Sequence, residues 1–192
     1  MNVQLPARLD KAAFLDWVER QDGRFELVKG RVIMMVGGSR NHGLIAGNLF
    51  LALSHRLDRK QWSVIAEFGL DAEPETLRYP DIVVDRAGGP GGDRTATAPV
   101  LLIEVLSPST AGIDLGDKAA EYLRLPGLAA YLVFSQDEAK AWTWVRSERG
   151  EFSAGPGILQ GREAVVTIAA LGIEVPLSEI FTPMLKSADD VR

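Results

Sequence analysis

Two acidic residues sit where acids are costly. Asp81 stands directly after Pro80 at the head of the apolar run YPDIVVD, and Glu104 interrupts VLLIEVLS, a stretch otherwise built from large aliphatic residues. Runs this apolar, without the alternation of a half-exposed strand, read as strands buried on both faces. An unpaired carboxylate there costs several kcal/mol, so Glu104 must be neutralised, ion-paired or bound to a metal. If the two strands pair, carboxylates 23 residues apart in sequence lie side by side. They then repel and raise each other's proton affinity unless a cation sits between them. The same spacing fits a plainer arrangement, with Asp81 capping a strand start and Glu104 paired with an arginine.

The helix expected after Glu104 carries a second set of polar groups. Over 113–125, IDLGDKAAEYLRL, the residues Asp114, Lys118 and Tyr122 recur every fourth position and form one stripe beside Leu115, Ala119 and Leu123. The stripe either lies over the strand ends or is a solvated Asp-Lys pair worth a few tenths of a kcal/mol.

Composition narrows the chemistry. The 192 residues contain no cysteine and only two histidines, His42 and His55, which removes thiolate zinc sites, disulfides and cysteine nucleophiles. A metal here must rest mainly on carboxylate oxygens, which favours magnesium or manganese. Ser107 and Ser109 invite a serine-nucleophile reading, but GxSxG is absent. The net charge of −5 argues against indiscriminate nucleic-acid binding, yet residues 1–60 carry ten Lys/Arg against six Asp/Glu. A polyanion, if one is held, belongs to that third of the chain. The first twenty residues lack a signal-peptide core and no run reaches membrane-spanning length, so no membrane partner and a cytoplasmic location are expected.

The elements that must position these groups can be read in order. Asp10 caps a short helix that places Phe14, Trp17 and Val18 on one face. RFELVKGRVIMMVGG forms two strands turned at Lys29-Gly30, and residues 41–58 form the longest helix. WSVIAEFGLD, YPDIVVD and VLLIEVLS follow as three strands. Residues 86–99, RAGGPGGDRTATAP, make an irregular loop that lacks the Gly-Lys-Ser/Thr ending of a phosphate-binding loop. AAYLVFS is a buried strand, and KAWTWVRSERG alternates so that Trp142 and Trp144 share a face, which if exposed would suit a homodimer. Short strands and LSEIF close the chain. No repeat or linker divides it, so residues 1–192 read as a single domain.

Strand, Pro-Asp, strand with Glu-x-x, then a helix bearing lysine resembles the PD-(D/E)XK nuclease superfamily. More narrowly, FELVKGRVIMMVGGSRNH, YPDIVVD and PVLLIEVLSPSTAGIDLGDKAAEYLRLPGLAAYLVF are similar to the Uma family of candidate restriction endonucleases, a likeness covering about residues 10–182. The resemblance implies an α/β (α+β) fold, a restriction-endonuclease-like mixed central sheet flanked by helices, with an N-terminal helix and hairpin. It implies a magnesium-dependent nuclease, with manganese as a substitute, in which Asp81 and Glu104 are metal ligands and Lys118 is catalytic. Leu106 occupies the superfamily's usual lysine position, two residues after the glutamate, so the lysine is relocated to the helix. Asp114 and Tyr122 would support Lys118. Glu26 would serve as outer ligand or base and His42 as a phosphate or water contact, although Glu26 also fits a surface carboxylate pairing with Arg31 or Arg24. Arg24, Lys29, Arg31 and Arg40 would track the backbone of a DNA substrate. The competing reading is a non-catalytic binding or assembly module that keeps the nuclease fold.

Overall fold

A computed structural model describes residues 6–107 and 112–182; Ser109 lies outside them. Helix α1, Lys11–Val18, starts where the Asp10 carboxylate accepts a hydrogen bond from the Ala13 amide at 2.8 Å. Its Phe14 is buried against Phe25, Leu27, Val32 and Leu77. Strands β1, Phe25–Val28, and β2, Arg31–Met34, pair antiparallel about a turn in which Lys29 (φ 50) and Gly30 (φ 77) are both left-handed. That is the turn geometry whose twist suits a two-residue hairpin. Helix α2, Arg40–Arg56, is capped by Ser39, which accepts from the His42 amide at 3.2 Å.

WSVIAEFGLD is not one strand. It divides into β3, Trp62–Ala66, and β4, Gly69–Glu73, because Glu67 adopts φ 51 between them. The two halves enter different sheets. β4 joins the hairpin through β5, Thr76–Arg78, and takes β7, Thr95–Ala96, on its other edge, giving the order β2-β1-β5-β4-β7. β3 ends a six-stranded sheet with β6, Ile82–Arg86, β8, Leu101–Val105, β9, Ala130–Phe134, β10, Lys140–Val145, and β11, Gly157–Gln160.

In that sheet β8 and β9 are parallel while the other pairs are antiparallel. A parallel pair requires a crossover connection. Here the crossover carries a π-helical segment, Ile113–Lys118, running straight into α3, Ala119–Tyr122. The helix expected over 113–125 therefore exists, but it is wound wider at its start and stops earlier. Strands β12, Val165–Ile168, and β13, Ile173–Pro176, form a separate antiparallel pair before the short α4, Leu177–Ile180. The result is the expected mixed central sheet flanked by helices, with the N-terminal hairpin absorbed into a second sheet.

Both faces of the six-stranded sheet are covered, which explains its unbroken aliphatic runs. Ile82, Val84, Ile103, Val105 and Leu132 pack with Ile45, Leu49 and Leu53 of α2. Val83, Leu102, Leu106, Tyr131 and Val133 pack on the opposite side with Ala119 and Tyr122. By strand alternation Glu104 shares the side of Leu102 and Leu106. Trp144 is 4% exposed and stacks on Tyr131 at 5.4 Å, and Trp142 is half-buried against the same cluster. The tryptophan pair is core packing and forms no exposed patch. The glycine-rich loop is ordered: Asp85 accepts from the amides of Arg86, Thr97 and Ala98, and Arg94 reaches the Leu15 carbonyl at 3.0 Å. No helix among the described residues is long and apolar enough to cross a membrane.

Gly69 opens β4 just after the bend at Glu67, and a Cβ there would stand 2.3 Å from the Arg94 carbonyl oxygen. Gly69→Ala is therefore expected to cost about 1–3 kcal/mol through overpacking. Gly47→Ala on α2, where a Cβ meets nothing within 4 Å, should instead gain about 0.5–1 kcal/mol of helix propensity. Urea unfolding of the two variants should move in opposite directions.

Candidate active site

Antiparallel pairing sets Ile82 of β6 opposite Ile103 of β8, and one residue further along Asp81 comes level with Glu104. The Val105 amide donates to Asp81 Oδ2 at 2.6 Å, and Nε2 of His42, from the first turn of α2, lies 3.3 Å from the same oxygen. That bond to Asp81 raises the His42 pKa, against the opposing effect of partial burial.

Glu104 is fully enclosed and accepts hydrogen bonds at Oε1 from Lys118 Nζ at 2.9 Å and from the Tyr122 hydroxyl at 3.1 Å. Lys118 points inward, with its side chain 6% exposed, and its ammonium also lies 3.1 Å from Asp114 Oδ1 and 3.7 Å from Glu26 Oε1. Asp114 is held through its carbonyl as well, which accepts from the Tyr131 hydroxyl at 2.9 Å. The stripe of Asp114, Lys118 and Tyr122 thus lies over the strand ends. Leu106, on the same side as Glu104, is spent on packing with Ala119 and Tyr122, and the helix delivers the ammonium that its position does not.

Two members of this cluster were not singled out in the sequence. Arg78 of β5, 3% exposed, grips Glu121 with two hydrogen bonds of 2.8 Å and donates to Glu26 Oε2 at 2.9 Å. Glu26 also accepts from the Tyr79 amide at 3.2 Å, so it is a buried member of the network and pairs with neither Arg24 nor Arg31. The available signal was weak: a charged residue flanked by apolar ones, as in TLRY, whose TLR lies in no expected element, and in AAEYL on the expected helix. The arginine imagined beside Glu104 is present, but it serves Glu26 and Glu121 while a lysine serves Glu104.

The buried network holds four carboxylates, Glu26, Glu104, Asp114 and Glu121, against two cations, Arg78 and Lys118, with Asp81 adjoining. This excess of negative charge out of water has a direct effect. Burial pushes the Glu104 carboxyl up to about 8; Lys118 opposes the shift, and Asp81 and Asp114 add to it. Lys118 is held above the ordinary lysine range because Glu104, Glu26 and Asp114 outweigh its desolvation.

The donor set suits a hard cation. Among the described residues the side-chain hydrogen bonds and ion pairs of Asp81 and Glu104 fall on one carboxylate oxygen of each, Oδ2 and Oε1. Among the described residues no three His, Cys, Asp or Glu side chains converge as a ready ligand set. Backbone and water oxygens would have to complete the shell, which is how magnesium is commonly held.

The family model Uma2, described as "Putative restriction endonuclease", matches residues 12–177. The chain belongs to the Uma2 family. Two uncharacterized proteins of Synechocystis sp. are similar to it: sll1609, 32% identical over 67% of this chain and 75% of that one, and slr1290, 31% identical over 76% and 78%. A crystal structure titled as a putative nuclease belonging to DUF820, from Anabaena variabilis, superposes with a TM-score of 0.73 at 15% identity, covering 91% of this chain and 98% of that one. At that identity the likeness establishes the fold, which is restriction-endonuclease-like.

The basic residues of this Uma2 chain do not form one patch. Arg24 sits at the open end of the hairpin, paired with Glu67 at 2.9 Å and close enough to His42 to lower its proton affinity. Arg40 precedes His42 by two residues on α2. Lys29 and Arg31 lie at the hairpin turn, about 15 Å away at roughly 3.3 Å per strand residue. All four are exposed.

Replacing Lys118 by methionine would leave Glu104 and Asp114 buried without their cation, at a cost of about 3–5 kcal/mol, measurable by urea unfolding. The raised Glu104 pKa also has a defined sign. Between the unfolded carboxyl value of 4.5 and the folded value of about 8 the native state binds the extra proton. Its stabilising contribution is therefore complete below the lower value and is lost as pH rises through the upper one. Relative to Glu104→Gln, wild-type protein should lose stability steadily from pH 5 to 8.5; parallel curves would refute the assignment.

Proposed function

We propose that this Uma2 protein is a metal-dependent endonuclease that hydrolyses phosphodiester bonds in DNA. The observation that carries the reading is the inward ammonium of Lys118, 2.9 Å from Glu104, beside a second carboxylate on the neighbouring strand. Asp81 and Glu104, with the backbone carbonyl of Val105, would hold magnesium, or manganese in its place. When bound, such an ion lowers the pKa of a water ligand and polarises a phosphoryl oxygen.

The chain's own groups supply the rest. Lys118 orients the attacking water or offsets charge developing on the phosphate, and Asp114 and Tyr122 fix its position. Glu26, within reach of Lys118, acts as the outer base or ligand, and His42 donates toward a phosphate oxygen from the Asp81 side. Arg24 and Arg40 meet the DNA backbone beside the scissile phosphate, with Lys29 and Arg31 further along the hairpin. One cytoplasmic domain would pair with a second copy through a surface other than the buried Trp142–Trp144 face, and two sites so paired would cut both strands of a duplex.

The test is nicking of supercoiled plasmid in millimolar magnesium or manganese. Asp81→Ala, Glu104→Ala and Lys118→Met are each expected to lower the rate at least about a hundredfold, with the fold of the first two kept by circular dichroism. Metal should raise the melting midpoint of the wild type and leave that of the Asp81→Ala/Glu104→Ala double variant unmoved. Full activity in either alanine variant would remove the mechanism. A wild type that binds DNA equally well with Asp81→Asn, shows no metal shift and never cuts would be a binding module.

A further inference from the structure

The space beside His42 and Asp81 continues along α2. Gly43, Gly47 and Phe50 face Ala66 of β3 across a cleft of about 430 Å³. Past Phe50 the same two elements enclose a second cleft of about 470 Å³, lined by His55, Arg59 and Trp62. Each has room for a nucleotide-sized group. His55 follows His42 by thirteen residue steps along the helix, so the path is about 20 Å long at 1.5 Å per residue. Its floor is β3, the last strand of its sheet, whose outer backbone edge has no strand partner among the described residues.

The charges along this path are graded. At the near end Glu67 is neutralised by Arg24 at 2.9 Å. At the far end the Arg86 guanidinium lies 4.6 Å over the Trp62 ring, its partner across the β3–β6 ladder. Arg59 and Arg86 are exposed, and among the described residues neither guanidinium is engaged in an ion pair. Asp58, next to Arg59, is turned back to the Lys60 amide and the Gln61 side chain. A cationic end with a stacked aromatic, joined by a trench to a hydrolytic site, matches what a single strand offers: regularly spaced phosphates and flat bases.

We propose that the α2–β3 cleft holds a nucleic-acid strand leaving the candidate site, with Arg59 and His55 on its phosphates and a base against the Trp62–Arg86 pair. The proposal rests on the nuclease reading and adds to it a substrate requirement. About six nucleotides of stacked strand, at roughly 3.4 Å each, must extend beyond the scissile phosphate to reach Trp62.

Binding of a fluorescein-labelled 15-nucleotide single strand, followed by anisotropy in EDTA, separates the two claims. Arg59→Glu/Arg86→Glu is expected to weaken it about tenfold or more and to flatten the salt dependence by about 0.7 log units per log unit, the one phosphate assigned to Arg59 on a single strand. Arg59→Glu alone, at an exposed position, serves if the double variant does not fold. Cleavage of substrates with fewer than three nucleotides beyond the cut should be indifferent to these changes, and that of longer ones should slow. Unchanged affinity in both variants overturns the cleft, as does a change only in solution mass, which would make the β3 edge a surface for a second copy. Charge-dependent binding without cleavage by the wild type would keep the cleft and remove the nuclease reading. Cleavage indifferent to Arg59 and Arg86 at every length would do the reverse.

Discussion

A buried ammonium group organises the centre of this protein. Lys118 has left water only because Glu104, Asp114 and Glu26 surround it, and those carboxylates tolerate burial only because Lys118 and Arg78 are among them. Each element that delivers a member of the network is thereby constrained. β1 must present Glu26, β5 Arg78, β8 Glu104, and the crossover helix Asp114, Lys118 and Glu121. A slip of one residue in β8 would turn Glu104 into the aliphatic side shared with α2, where no cation is available. The network therefore selects register as well as charge.

Much of this could be read from residue order, and the limits have physical causes. A carboxylate inside an unbroken aliphatic run has few bland explanations, so Glu104 declared itself, and the four-residue spacing of Asp114, Lys118 and Tyr122 identified the helix face opposite it. The hairpin was legible because Lys29-Gly30 accepts left-handed backbone. Arg78 was not, since a strand of three residues carries too little periodicity to assign a side. Glu121 sits one step off the polar stripe, and the π-helical winding that precedes it shifts the angular relation between residues. The break at Glu67 was illegible for another reason: nothing in WSVIAEFGLD signals that a glutamate will take a positive φ, which non-glycine residues rarely adopt.

Leu106 shows how an ammonium can reach Glu104 without coming from the same strand. Lysine there would arrive along the strand, whereas here an aliphatic side chain completes the packing and the cation enters from a helix above. The cost is that the cation's placement depends on how that helix is wound. Asp114 holds Lys118 from one turn earlier while Tyr131 grips the Asp114 carbonyl, so the winding and the charge pattern fix each other.

The parting of β3 from β4 bears on how such a chain reaches its native state. Because one residue diverts consecutive strands into separate sheets, Glu26 and Arg78 are gathered by one sheet and Asp81 and Glu104 by the other, and the Glu67 amide holding the Asp81 carbonyl at 3.1 Å is a stitch between them. Neither sheet possesses the site by itself. Its assembly must await the slowest, most non-local event, the docking of two sheets whose contacts close long stretches of chain. A partly folded molecule consequently lacks the joined network of carboxylates and cations, whose completion coincides in time with that of the fold.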